Sequence, residues 1–237
     1  MLKFSYNFKK DAKNWVDTIK DVNPSWGINY DNETIMVPQN IKRKIIKRNN
    51  KEAIELVVKY LKNQPRFKRK KEVIDSEMKA IRSLWKKKEN DFFSVVEKMT
   101  KRPMFNLDFI AYFTTMFICP YDTEDYKWFM LSMWHSLPFQ VTIICHEIFH
   151  FQFLYYYSNF CKQHGLNETQ LENLKESLTV LLNTEEFNDI ILCRDEGYSH
   201  HRITREKIIK NWEENKNRYL RSGNGFEIFL REAIKYI

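Results

Sequence analysis

The chain has 237 residues, 43% of them hydrophobic and 15% aromatic, with a formal net charge of +8; that is enough apolar side chain to close a core, and it excludes a chain disordered throughout. Only 5 Gly and 6 Pro occur, which argues against a many-turned β-sandwich and for long helices, and neither GxGxxG nor GxxxxGK[ST] is present to cradle a phosphate. Cys119, Cys145, Cys161 and Cys193 fall outside any CxxC pair and read as free thiols of a reducing compartment; with no apolar secretory stretch at the N-terminus, the expected location is cytoplasmic.

In chain order, residues 1–38 offer a short helix near Asp11 to Val22, followed by turn signals at Asn23-Pro24-Ser25-Trp26-Gly27 and at Asp31-Asn32. Between Ile41 and Arg102 stand 21 Lys and Arg against 8 Asp and Glu, so this stretch carries more positive charge than the whole chain and the remainder is net acidic. Apolar residues recur there at helical spacing, Ile54, Val57, Val58 and Leu61, then Val73, Ile74, Met78, Ile81 and Trp85, which predicts two or three amphipathic helices with a break at Gln64-Pro65. Such a surplus fits a solvated helical face, or a surface for an acidic partner or nucleic acid; aromatic interleaving is thin and no nucleic-acid motif is present.

From Met104 to Met133 aromatic and β-branched residues take over, and two strands are expected, one within Phe105 to Ile118 and one at Trp128 to Trp134, paired as a small antiparallel sheet across a turn at Cys119-Pro120-Tyr121-Asp122. After Pro138 a long helix runs to about Lys162. Its segment Val141 to Phe160 is almost wholly apolar, but His146, Glu147 and His150 in its middle make a membrane span costly, so a buried core helix is expected. Gly165 and Asn167 end it, Asn167 or Thr169 caps the next helix, which reaches about Asn183, and further helices cover Thr204 to Tyr219 and Phe226 to Tyr236. The expected fold is α+β and mainly α, with a basic, mostly helical region over 1–103 and a metal-binding region over 104–237, or one continuous domain.

His146-Glu147-Ile148-Phe149-His150 puts two imidazoles one helical turn apart on one face, where both can point a ring nitrogen at a single ion, and sets a carboxylate beside them. Two His and a Glu inside an apolar helix need partners of some kind. The pentapeptide HExxH resembles that of the zincin metallopeptidases. The resemblance implies bound Zn2+, Glu147 as general base, a peptide or protein substrate, a zincin-like domain with its sheet packed on the HExxH helix, and a third ligand downstream. Phe153 and Tyr156 stand where the metzincin branch needs Gly and His, so a gluzincin-like Glu from the next helix is the better match. Leu171, Leu174, Leu178, Leu181 and Leu182 form one stripe of that helix, and Glu176 is the last carboxylate before the uncharged stretch Ser177 to Thr184. Glu176 is therefore the expected ligand, with Glu172, His164 and later acidic or His residues as alternatives.

Thr179 and Asn183, one and two turns on, are expected to hydrogen-bond the ligating histidines, although the Asp often found four residues after the gluzincin ligand is Val180 here. Tyr198, His200 and His201, in the loop Cys193 to Arg202, are the candidate donors to an oxyanion, or else caps of the following helix. The zincin resemblance implies an edge strand that pairs with extended substrate, for which Ala111 to Phe117 or Trp128 to Trp134 could serve, unless both are simply apolar core strands. Two further readings stay open: a regulatory or nucleic-acid-associated binding protein with a structural zinc site, and a membrane-embedded protease.

Overall fold

A computed structural model of the chain describes residues 1–20 and 37–237; the expected turns between Asn23 and Asn32, and the end of the first helix at Val22, lie outside them. Helices dominate. Two compact units divide the chain: Met1–Leu84 with Asp108–Gln140, and Trp85–Leu107 with Val141–Ile237. Each is assembled from two stretches of chain, a different partition from a single boundary after residue 103.

The first unit holds a three-stranded sheet in the order β1-β2-β3, made of β1 (Lys3–Tyr6), β2 (Ile110–Thr114) and β3 (Trp128–Ser132). The two expected strands are present, but they pair in parallel, Ile110 opposite Trp128 and Thr114 opposite Ser132, and not antiparallel. The physical reason lies in residues 115–127. Parallel neighbours need a crossover of about a dozen residues or more, and here Pro120 to Asp122 turns back along the outer edge of β3, with Asp122 N donating to Trp128 O at 2.8 Å and Met130 N to Pro120 O at 3.0 Å. Asp122 then holds the tip by accepting from the amides of Glu124, Asp125 and Lys127. The sequence pattern missed β1, four residues long, which pairs in parallel with β2 on the other side.

Helix α1 (Phe8–Lys20) is fixed to the end of β2 by a buried polar knot. Asp11 accepts from Thr115 N at 2.9 Å, Thr114 Oγ1 at 2.8 Å and Tyr6 Oη at 2.8 Å, and Trp15 Nε1 donates to Thr115 Oγ1 at 2.8 Å. The basic stretch forms four helices rather than two or three: α2 (Gln39–Ile46), α3 (Asn50–Asn63), α4 (Pro65–Trp85) and α5 (Glu89–Thr100). Gln64 and Pro65 mark the break between α3 and α4, where a proline suits a first helical position. Trp15, Val16, Ile41, Ile45, Val57, Leu61 and Phe67 close one core of the first unit, while Arg43, Lys44, Lys59, Arg66, Lys68 and Arg69 stay exposed.

In the second unit α6 (Leu137–Gln163) enters at Val141 as a helix apolar on every side. It ends at Gly165, whose φ of +96° is one that L side chains rarely adopt. Asn167 then caps α7 (Glu168–Leu178) with a reciprocal bond to Gln170. The last turn tightens to a 3-10 helix over Thr179–Asn183, and the stretch 177–184 is buried except at Asn183, as its lack of charge suggests. Helices α8 (Arg202–Arg221) and α9 (Gly225–Ile234) complete the unit. Phe92 of α5 meets Phe187 with ring centroids 5.9 Å apart, and Tyr157 of α6 meets Phe226 at 5.0 Å. Among the described residues no helix is long and apolar enough to cross a membrane.

Candidate metal centre

Helical spacing brings the rings of His146 and His150 together on α6, with centroids 4.2 Å apart, and α7 delivers Glu176 opposite them. Glu176 Oε2 lies 3.6 Å from His146 Nε2 and 3.7 Å from His150 Nε2. Both distances are too long for hydrogen bonds. They are close to the separation, about 3.3–3.5 Å, of two ligand atoms that sit ~2.0–2.1 Å from one tetrahedral ion. Glu176 Oε2 is buried with no hydrogen-bond partner, and the three residues form a group whose ligand atoms all fall within 4.8 Å of one another. A borderline cation such as zinc suits this donor set of two nitrogens and an oxygen.

Charge on the centre is shaped by its surroundings. Burial works to raise the Glu176 carboxyl, but His150, His146 and Lys175 override it and hold the group well below the usual carboxylate range. His150, 1% exposed, is pushed well below the usual imidazole range, first by burial and then by His146. Glu147 is 7% exposed, and its Oε2 is buried with no hydrogen-bond partner; burial pushes its carboxyl up to about 7.

The residue that sequence reading missed is Asp195. Its Oδ2 stands 2.5 Å from His146 Nδ1, so the far nitrogen of that ring is held and Nε2 is turned to the centre. Burial disfavours the charged His146 ring, but Asp195 overcomes that and keeps its pKa well above the usual range. Asp195 is fixed on all sides. Asn183 Oδ1 accepts from its amide at 2.8 Å and Asn183 Nδ2 donates to its carbonyl at 2.8 Å, while Thr179 Oγ1 lies 2.9 Å from Oδ1. Arg205, 4% exposed, donates to Asp195 Oδ1 at 2.7 Å and to its carbonyl at 2.5 Å. Thr179 and Asn183 therefore serve His146 through Asp195, one step further out than expected. Gly197, at φ +61°, crosses the Arg205 guanidinium so closely that a Cβ would come within 2.6 Å of Nη1. The sequence places Asp195 in a loop, where no periodicity can assign it a face; the only local signal is the density of ionisable groups around a glycine.

Tyr198, His200 and His201 cluster together: Tyr198 stacks on His200 with centroids 5.7 Å apart, and His201 meets His200 edge to face at 4.0 Å. They lead into α8, whose N-cap His201 makes no side-chain capping bond. His201 Nε2 lies 3.2 Å from Asn173 Oδ1. Burial and then His200 lower the His201 pKa, against an opposing pull from Glu176. The competing third ligands are engaged elsewhere: Glu172 pairs with Lys175 at 2.6 Å with its side chain 55% exposed, and the exposed His164 stands with Nδ1 2.8 Å from Phe160 O.

No protein-family model, curated protein or solved structure matches this chain. Its site must be read on its own chemistry. The expected substrate-pairing edge does not survive in either strand. β2 lies in the middle of its sheet, and the outer edge of β3 at Trp128 and Met130 is already bonded to Pro120 and Asp122.

Proposed function

We propose that the chain is a zinc-dependent peptide hydrolase of the HExxH type. The observation that carries this reading is Glu176 Oε2, buried and without a hydrogen bond, 3.6 and 3.7 Å from two imidazole nitrogens. Held by His146, His150 and Glu176, a zinc ion would polarise a scissile carbonyl and acidify water at its open position. Glu147 takes the proton from the attacking water and passes it to the leaving amine; a carboxyl pushed up to about 7 can do both near neutral pH. Asp195 keeps the His146 ring in the ligating orientation, and Tyr198, His200 and His201 are the donors proposed for the developing oxyanion. Three protein ligands favour a catalytic centre over a structural one, which is usually closed by four.

Metal analysis combined with a peptide-library cleavage assay tests this on wild type and Glu147→Gln. One zinc per chain is expected in both proteins, with cleavage by the variant lower by about 10²–10⁴-fold. Equal cleavage by the two would give the activity another source.

A further inference from the structure

Lys175 adjoins Glu176 in the sequence, yet its side chain is 1% exposed. Its Nζ lies 3.2 Å from Glu176 Oε1 and 2.6 Å from Glu172 Oε2. A lysine beside a surface carboxylate normally keeps its charged head in water; a buried ammonium persists only where opposite charge receives it. Here two carboxylates receive it. One is half in solvent and anchors the stem across an i,i+3 pair, and the other is the expected metal ligand.

The two oxygens of Glu176 thus face different partners. Oε1 meets Lys175, while Oε2 meets the two imidazoles and has no hydrogen bond. We propose that Lys175 is a positioning residue that makes Glu176 a one-oxygen ligand, by holding Oε1 so that Oε2 alone reaches the cation. This deepens the metal reading above and rests on it. An ammonium donates and cannot accept, so it holds Oε1 without competing for the ion. A carboxylate bound through both oxygens would crowd the position that substrate and water need. Sharing the negative charge of Glu176 with Lys175 also leaves more of the cation's charge for a substrate carbonyl.

Cobalt(II) loaded in place of zinc reads the coordination number directly, because four-coordinate cobalt absorbs far more strongly in the visible than five-coordinate cobalt. Wild type is expected to show the intense four-coordinate bands. In Lys175→Met, which keeps the stem but removes the donor, Oε1 is released to the metal and molar absorbance should drop about twofold or more. A five-coordinate spectrum in wild type overturns the proposal without recourse to any variant, and so does the same spectrum in both proteins with cobalt bound to each. Wild type that takes up neither cobalt nor zinc would remove the metal centre itself, a failure distinct from that of the role given to Lys175.

Discussion

Asp195 decides which way the His146 ring faces. Its contact with Nδ1 at 2.5 Å leaves Nε2 for the centre; its carboxylate is held by Thr179 and Arg205 and its backbone by Asn183. Removing such a partner typically weakens metal binding by about 10–100-fold, so Asp195→Ala should lose zinc to a competing chelator at correspondingly lower chelator concentration. Unchanged retention would show that the helix alone orients the ring. At this scale the sequence was legible where periodicity operates. His146 and His150 share a face because they are four apart on a helix, and Glu176 stands at the last charged position before a buried stretch. Asp195 was illegible because a loop residue has no period, and its partner Arg205 lies in another element.

Elements were legible by their stop signals. Gly165 and Asn167 were enough to end α6 and start α7, and the observed cap joins Asn167 and Gln170 in both directions. Asn167→Ala should cost about 1 kcal/mol, read as a lower urea midpoint in equilibrium unfolding; an unchanged midpoint would mean that tertiary packing alone fixes the start of the ligand-bearing helix. The hand of the sheet was another matter. Alternating aromatic residues reveal strands but not their relative direction, and the apparent turn at Cys119 to Asp122 suggested a hairpin. That segment lies along β3 instead, and β1, arriving from the far N-terminus, is too short to show a pattern.

Across the whole molecule, charge is the property the sequence stated most clearly. Arg43, Lys44, Lys59, Arg66, Lys68 and Arg69 are exposed on α2 to α4, and among the described residues none of the six has a carboxylate at ion-pair distance, whereas Lys71 pairs with Asp75. If this surface receives nucleic acid rather than water alone, a gel shift should appear at low ionic strength and fade steeply as salt rises, because release of counterions drives such binding. No shift at low salt would leave these cations as a solvated face.

The two-segment make-up of each unit bears on how the chain emerges during synthesis. When residue 103 has emerged from the ribosome and residues 108–140 have not, the first unit still lacks β2 and β3, while α5, which belongs with the second, already presents Phe92, Val96 and Met99, all buried once folding is complete. The early part of the polypeptide must wait for the late part on both counts. A nascent chain in that condition displays oily surface for as long as translation takes to reach α6 and beyond.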